Sequence, residues 1–363
     1  MSDTTPTLEA DTEARELLED LVSTPSVAPD EAACAEILAA FFEEHGRTVF
    51  VDGVGNVRAP ADDSVLYTSH IDTVPGDIPV RTEEGEDGPE LWGRGSVDAK
   101  GPLAALAVAA VRTGVSFVGV VGEEVDSRGA RHLVDDRAAP DAVVNGEPSG
   151  WNGITLGYRG MLKGTYIGTS ESGHTSRPEN NAIQDAIAWW SAVEERFGGD
   201  SVGRDGDASA DDEAVPVFER VTPKPVRIEG GTSEDGLAVE TTLEAQLRIP
   251  PSYMTDDVRE LADGELDTGT VRWTDAIEPT MQSPRTPVAR AFRVAIREQG
   301  GDPRLLRKTG TADMNLYADA WDCPMATYGP GDSDLDHAPG ERLPLRELDR
   351  AVAVLQAVAE ELT

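Results

Sequence analysis

Short runs rich in β-branched and aromatic residues predict strands, and most of them lack the polar alternation of a half-exposed strand. The runs are VLYTS (65–69), SFVGVV (116–121), DAVVN (141–145) and MATYG (325–329). A helical segment, GPLAALAVAAVR (101–112), lies between the first two, with Pro102 suited to its first turn. This alternation predicts an α/β fold in which a mainly parallel sheet carries helices on both faces.

Helical patterns also occupy both ends of the chain. Thr7 is a candidate N-cap for a helix through Leu21, and residues 26–45 predict a second helix closed by Gly46. Two more helices are predicted near the end, at 287–299 and 344–362.

The middle of the chain has a different texture. A strand-like run, GMLKGTYIGT, precedes a predicted helix at 181–197, and β-like runs PVRIEG and LEAQLRI come later. The polar, acidic stretch 198–214 predicts an exposed loop. We therefore expect a smaller α+β domain at 158–273, inserted between two parts of a larger domain at 1–157 and 274–363.

The charge balance restricts the surroundings and partners of the protein. Asp and Glu number 68 against 31 Lys and Arg, a formal net charge of −37. Such a surface repels itself unless salt screens it, and it is unsuited to binding a nucleic-acid backbone. The apolar run 102–111 is too short to span a bilayer, and the acidic N-terminus does not resemble a secretory signal. With only Cys34 and Cys323, we expect a protein of a reducing, salt-loaded cytoplasm.

Histidines and carboxylates follow the predicted strands. In parallel α/β sheets the carboxyl ends of the strands meet at one edge, where ligands bind. Segments following the strands are SHIDTVPGD with His70 and Asp72, GEEVDSRGA with Glu123 and Glu124, GEPSG with Glu147, and GPGDSDLDHAPGE with His337. A fifth segment, GRGSVDAKGP, places Asp98 just ahead of a helix.

These nitrogen and oxygen donors suit zinc, cobalt or manganese, and none of them is a thiolate. A pair of metals requires one bridging carboxylate and separate ligands on each side. Since neighbouring side chains of an extended segment point to opposite faces, Glu123 and Glu124 can divide metal binding and proton transfer. Asp72 shares a face with His70 and can accept its second ring N–H. In so acidic a chain a single carboxylate is ordinary surface, so the joint pattern carries the prediction.

The five segments, in this order, resemble those of the co-catalytic zinc amidohydrolase and peptidase family. That family includes carboxypeptidase G, aminoacylase, succinyl-diaminopimelate desuccinylase and acetylornithine deacetylase. Within it, TGTADMN (309–315) and YGPGDSDLDHAPGE are most similar to hydrolases that release lysine or ornithine from the acidic amino-group carrier protein LysW. The resemblance implies a lid and dimerisation role for the inserted domain, and hence a homodimer.

The resemblance also implies two divalent metal ions per subunit, zinc or cobalt, and a role for each site residue. One ion would be held by His70, Asp98 and Glu147, and the other by Asp98, Glu124 and His337. Glu123 would be the general base, Asp72 would orient His70, and the peptide after Asp98 would be cis. His174 would reach the partner subunit's site and steady the oxyanion.

Substrate recognition has weaker signals. The segment 309–315, with Gly310 and Thr311, looks like a turn whose N–H groups could hold a carboxylate, and an ordinary helix cap explains it equally well. Arg177 and Arg248 are candidate carboxylate clamps, with surface arginine as the alternative. An acidic carrier would need a local basic patch, for which Arg159, Lys163 and Arg177 are candidates.

Other functions stay open from sequence alone. An N-acetylornithine or N-acetyl-lysine deacetylase, a succinyl-diaminopimelate desuccinylase or a dipeptidase would use the same chemistry on another substrate. A non-catalytic binding module would be expected to have lost Glu123 or a metal ligand, and this sequence retains both.

Overall fold

The computed structural model describes residues 10–173, 176, 178–198 and 215–363, and these form two units. Unit 1 comprises the chain up to Leu156 together with Gln282–Leu306 and Ala312–Thr363. Unit 2 comprises Gly157–Met281 and Arg307–Thr311. It therefore extends past the boundary predicted at residue 273, because that position lies inside a strand that continues to Ile277.

Strands and helices are interspersed along the described chain. The strands are β1 (Phe50–Val51), β2 (Val57–Ala59), β3 (Asp62–His70), β4 (Arg81–Gly85), β5 (Gly88–Trp92), β6 (Val115–Val120), β7 (Val143–Gly146), β8 (Gly153–Tyr158), β9 (Gly160–Glu171), β10 (Thr222–Thr232), β11 (Ala238–Ile249), β12 (Thr270–Ile277), β13 (Thr280–Met281), β14 (Arg304–Lys308), β15 (Met325–Thr327) and β16 (Arg342–Pro344). The helices are α1 (Thr12–Ser23), α2 (Ala32–Glu44), α3 (Lys100–Thr113), α4 (Arg128–Asp136), α5 (Ala182–Gly198), α6 (Thr255–Asp263), α7 (Pro287–Glu298), α8 (Asp313–Ala320) and α9 (Leu345–Leu362).

The main sheet is parallel at its centre. Its order is β1-β2-β6-β3-β7-β15-β8-β13, with β14 paired to β8. The neighbours β6, β3, β7 and β15 run parallel, whereas β2 and β8 join them antiparallel. All four predicted strands are among the parallel ones. A separate three-stranded sheet has the order β16-β5-β4.

Helices cover both faces of this sheet, as predicted. Successive side chains of a strand point to opposite faces. The Tyr67 hydroxyl donates to the Leu355 carbonyl oxygen in α9 at 2.6 Å, while Thr68 Oγ1 lies 3.2 Å from the Tyr317 hydroxyl in α8. The helices α8 and α9 therefore lie on opposite sides of β3, and the predicted α/β class is confirmed.

The predicted helices near the N-terminus begin later than expected. Helix α1 starts at Thr12, where the Asp11 carboxylate accepts the N–H of Ala14, while the proposed cap Thr7 lies outside the described residues. Helix α2 starts at Ala32 because Pro29 interrupts the segment, and Ser26 instead donates to the Ile71 carbonyl oxygen.

Unit 2 is built on an antiparallel sheet of order β10-β11-β9-β12. Its core contains the stacked rings of Tyr166 and Trp189, contributed by β9 and α5. The predicted helix at 181–197 is α5, whereas residues 199–214 of the predicted acidic loop lie outside the described residues.

Among the helices described, none combines the length and apolar character needed to cross a membrane.

Candidate metal centre

The parallel strands bring the predicted donors to one edge of the main sheet. His70 ends β3, and Glu147 directly follows β7. Glu123 and Glu124 follow β6, and His337 comes after β15. Asp98 reaches the same place from the segment between β5 and α3. Four of these stretches follow parallel strands and meet there because the strands share a direction, and the Asp98 segment joins them from outside the main sheet.

The donors form two groups that share Asp98. His70 Nε2 lies 3.2 Å from Asp98 Oδ1 and 4.0 Å from Glu147 Oε2. His337 Nε2 lies 3.2 Å from Asp98 Oδ2 and 3.2 Å from Glu124 Oε1. Within each group of three, one ligand atom per residue lies within 4.8 Å of the others. Asp98 thus offers one oxygen to each group, as a bridging carboxylate does.

The donor chemistry fits two divalent cations. Each group joins one imidazole to two carboxylates, a set that zinc, cobalt and manganese accept. Hydrogen bonding to Asp98 raises the pKa of His337 to about 9. Although burial opposes it, contact with Asp72 and Asp98 also raises the pKa of His70. The negative potential that favours a proton on both rings also favours a bound cation in their place.

The backbone holds His70 in one orientation. Its Nδ1 lies 2.9 Å from the Asp72 carbonyl oxygen and 3.7 Å from Asp72 Oδ1, so the carbonyl is the hydrogen-bond acceptor. The sequence predicted the carboxylate for this contact. The Asp72 carboxylate instead accepts the N–H groups of Gly122, Glu123 and Glu124 at 2.9, 3.1 and 3.0 Å. Asp72 therefore fixes both His70 and the glutamate pair.

Glu123 lies beside the donor groups. Neither group found within the described part of the chain includes it. Burial, reinforced by the charge of Glu147, raises the pKa of Glu123 well above its ordinary value. A carboxyl group with a raised pKa next to a metal site suits a general base that later acts as an acid.

The peptide bond between Asp98 and Ala99 is cis, as the family resemblance implies.

Two buried acids near the centre were not predicted from the sequence. Asp313 begins α8, and its Oδ1 has no hydrogen-bond partner within the described chain. Burial raises the pKa of Asp313 to about 7. Glu341 follows His337 by four residues and is fully buried. Both lie in segments that carry predicted site residues, but in so acidic a chain the sequence does not distinguish a buried acid from a surface one.

The candidate substrate residues of unit 2 are partly brought together. Arg248 Nη1 donates to Thr311 Oγ1 at 3.3 Å, and Gly310 precedes Thr311. Arg159 donates to the Thr309 carbonyl oxygen at 2.9 Å. Burial and the nearby charges of Arg248 and Arg220 lower the pKa of Arg159 to about 10, so guanidinium groups cluster at this point of unit 2.

The other predicted substrate-binding residues are paired with an acid or lie outside the described residues. Lys163 of the predicted basic patch pairs with Asp275 at 2.7 Å, which neutralises its charge. His174 and Arg177 lie outside the described residues.

A parallel sheet with two donor groups at its carboxyl edge, and a glutamate of raised pKa beside them, defines a metal-dependent hydrolase. The sequence profile of Peptidase family M20/M25/M40 matches residues 66–361, and the chain belongs to this family. As a member it is a hydrolase that acts on an amide bond.

Two curated relatives share the organisation of the chain. The [LysW]-lysine hydrolase of Deinococcus radiodurans is 40% identical, over 99% of this chain and 99% of its own. The [LysW]-lysine/[LysW]-ornithine hydrolase of Sulfurisphaera tokodaii is 30% identical, over 82% of this chain and 81% of its own.

Solved structures share the fold. Aminopeptidase PepT from Bacillus cereus matches with a TM-score of 0.75 and 20% identity, covering 96% of this chain and 98% of its own. The M20 family metallo-carboxypeptidase Sso-CP2 from Sulfolobus solfataricus has a TM-score of 0.75 and 18% identity, covering 97% and 99%.

Proposed function

We propose that the protein hydrolyses the amide bond that links lysine or ornithine to the carrier protein LysW, in lysine and arginine biosynthesis. The observation that carries this proposal is the 40% identity to a [LysW]-lysine hydrolase over 99% of both chains. The complete donor set at the sheet edge supports it, because a binding module without activity would not need these residues.

The metals are proposed to be zinc or cobalt. His70, Asp98 and Glu147 would hold one ion, and Asp98, Glu124 and His337 the other. When bound, the two ions would act as Lewis acids toward the amide carbonyl and the attacking water.

Glu123 is proposed to move the proton. Its carboxylate takes a proton from the attacking water and then passes it to the departing amine. The raised pKa of Glu123 supports this assignment, because a base whose pKa lies nearer neutrality can both accept and return a proton. The hydrogen bonds from the N–H groups of Glu123 and Glu124 to the Asp72 carboxylate hold this part of the chain in place.

Recognition of the substrate is proposed to use positive and N–H groups of unit 2. Arg248, held by Thr311, is a candidate for binding the carboxylate of the substrate, with the N–H groups at Gly310 and Thr311 beside it. Arg177 is proposed as a second clamp, and His174 is proposed to stabilise the oxyanion in the partner subunit's site.

A homodimer formed through unit 2 is part of the proposal. The edge strand β10 carries exposed Val226 and Ile228, 57% and 51% exposed, and strand edges are surfaces that pair. Light scattering in high salt tests this; a monomer would contradict the dimer. The net charge of −37 supports a salt-loaded cytoplasm as the working environment.

The test is product analysis with purified full-length protein in high salt, supplied with zinc or cobalt. The substrates are LysW-linked lysine, LysW-linked ornithine, N-acetylornithine and a dipeptide. We expect free lysine or ornithine from the carrier and no acetate from N-acetylornithine. The reverse pattern would replace the proposal with an N-acyl amino acid deacylase.

A further inference from the structure

A fully buried carboxylate that belongs to neither donor group lies next to the shared aspartate. Glu341 has 0% of its surface exposed. Its Oε1 accepts the backbone N–H of Val97 at 3.0 Å and that of Asp98 at 3.1 Å. A buried charge is costly unless it is paired and hydrogen-bonded. These hydrogen bonds therefore stabilise the buried Glu341 carboxylate and restrict its position.

The second oxygen of Glu341 is paired with an arginine. Arg94 Nη1 donates to Glu341 Oε2 at 2.7 Å and to the Ala338 carbonyl oxygen at 3.4 Å. Arg94 Nε donates to the Gly76 carbonyl oxygen at 3.0 Å. The main-chain oxygen of Glu341 also accepts the N–H of Gly93 at 3.3 Å.

These contacts join the two segments whose ligand atoms face each other. One segment runs from Gly93 to Asp98, and the other from His337 to Glu341. Across them, Asp98 Oδ2 lies 3.2 Å from His337 Nε2. Through its two oxygens, the Glu341 carboxylate therefore helps to set the position of Asp98 relative to His337.

We propose that Glu341 is a positioning residue, whose buried carboxylate fixes the backbone of Asp98 and the His337 segment in the arrangement that binds both metal ions. This inference rests on the proposed metal centre and goes beyond the ligands themselves. Groups that orient metal ligands typically change metal affinity by about 10–100-fold when they are replaced. Removing Glu341 leaves the N–H groups of Val97 and Asp98 unpaired, together with the charge of Arg94.

The experiment is a calorimetric titration of the metal-free full-length protein with Co²⁺, and separately with Zn²⁺, in high salt. For Glu341→Gln we expect affinity about 10-fold weaker than wild type, and for Glu341→Ala a loss nearer 100-fold. Gln keeps one oxygen that can accept from the two N–H groups but loses the ion pair with Arg94. A metal affinity of Glu341→Gln between those of wild type and Glu341→Ala therefore indicates a positioning role. Arg94→Lys keeps the positive charge but cannot contact Glu341, Ala338 and Gly76 together, as the guanidinium does, and should weaken affinity in the same direction.

The chain provides a matched control. Asp349 is 4% exposed, accepts the N–H of Asp11 at 3.0 Å and pairs with Arg15 Nε at 3.0 Å. It is thus a buried, arginine-paired acid that accepts a backbone N–H, but it lies on α9, away from the donor segments. Asp349→Asn should lower the melting temperature while leaving metal affinity at the wild-type level.

Two results would overturn the proposal. One is wild-type affinity for both metal equivalents in Glu341→Gln and Arg94→Lys. The other is an equal loss of affinity in Asp349→Asn, which would assign the effect to general stability. A wild-type protein that binds two metal ions but cleaves neither carrier-linked lysine nor carrier-linked ornithine would contradict the proposed function alone, and leave the role of Glu341 intact.

Discussion

Glu123 and Glu124 are neighbours in sequence whose carboxyl groups have different partners. Glu124 Oε1 lies 3.2 Å from His337 Nε2, within a donor group. Glu123 is outside both groups found among the described residues, in surroundings that raise its pKa. Their N–H groups share one acceptor, the Asp72 carboxylate. The difference between the two residues therefore lies in side-chain direction, which supports the proposed roles of Glu123 in proton transfer and of Glu124 in metal binding.

This division predicts distinct effects of substitution. Glu123→Gln removes the group proposed to take the proton but keeps its size, so we expect kcat to fall by about 10²–10⁴ with metal content unchanged. Turnover of carrier-linked lysine and the metal content of the purified variant are the measurements. His70→Ala is the contrasting variant and should lose metal. A Glu123→Gln protein that loses metal together with activity would place Glu123 among the ligands.

A histidine far from the site predicts a pH dependence of stability. His45 Nδ1 lies 2.7 Å from the Phe41 carbonyl oxygen and Nε2 lies 2.8 Å from Glu13 Oε1. These contacts raise the pKa of His45 above its ordinary value of 6.5. A raised folded-state pKa gives stability that is present below pH 6.5 and is lost as the pH rises through the folded-state value.

We therefore expect His45→Gln to lower the free energy of unfolding by about 0.3–1 kcal/mol at low pH, since a cation also favours the end of helix α2. Denaturant unfolding of both proteins at about pH 5.5 and about pH 8.5, at one salt concentration, measures this difference. The difference in the free energy of unfolding between wild type and His45→Gln should be smaller at the higher pH. A gap that widens there would show that the neutral ring makes the stabilising contact.

At the scale of elements, helix α4 is seated directly on the end of strand β6. The Gly129 N–H donates to the Val121 carbonyl oxygen at 2.9 Å. A Cβ at Gly129 would lie 2.4 Å from Asn56 Oδ1 and 2.5 Å from Val121 N. The turn between β6 and α4 carries Glu123 and Glu124, so the close approach of this helix fixes the position of both.

Gly129→Ala should accordingly destabilise the protein by about 1–3 kcal/mol, because the backbone must move to admit the methyl group. Activity should fall as well. Gly53→Ala is the control, since a Cβ there meets no atom within 4 Å. Thermal unfolding and kcat are compared for the two variants. Equal melting temperatures of Gly129→Ala and Gly53→Ala would show that the turn between β6 and α4 can shift without loss of stability.

The elements that could be predicted are those with strong local patterns. The central strand β3 and helix α3 follow from the predicted runs 65–69 and 101–112, since residues 65–70 and 100–110 are buried. Strand β4 was missed because RTEEG is largely polar and lies in a small sheet with one exposed face. Helix α2 begins at Ala32, six residues after the predicted start at Ser26. The reason is that Pro29 disfavours helical geometry at the residue before it.

The same limit applies to the candidate site. Positions after predicted strands are visible in sequence, which is why His70 and Glu147 could be singled out. Partners such as Arg94 with Glu341 depend on contacts between distant segments, and no local pattern encodes them. The acceptor for His70 Nδ1 is the Asp72 carbonyl oxygen and not the predicted Asp72 carboxylate. Both oxygens belong to the same residue, and only the conformation of the backbone determines which one the ring contacts.

At the scale of the whole molecule, the charge of −37 sets the conditions for stability. Screening shortens the reach of repulsion from about 10 Å at 0.1 M salt to about 3 Å at 1 M. We expect the melting temperature to rise with KCl, most steeply between about 0.05 and 0.5 M, where screening changes fastest. Each kcal/mol gained should raise it by roughly 1–2 °C, because the entropy of unfolding grows with chain length. A melting temperature independent of salt would contradict a salt-loaded environment.

The chain leaves unit 1 after Leu156 and returns to it at Gln282, and these two residues are adjacent. The Gln282 N–H donates to the Leu156 carbonyl oxygen at 2.7 Å, and Met281 pairs with Gly157. A tight hairpin can join these ends. Excising residues 157–281 removes unit 2 except for Arg307–Thr311. We expect the shortened protein to take up two metal equivalents, because the donors lie in unit 1, and to lose turnover of the proposed carrier-linked substrates. Loss of metal from the shortened protein would refute this. The donors of the metal centre and the proposed recognition residues therefore lie in different units of the chain.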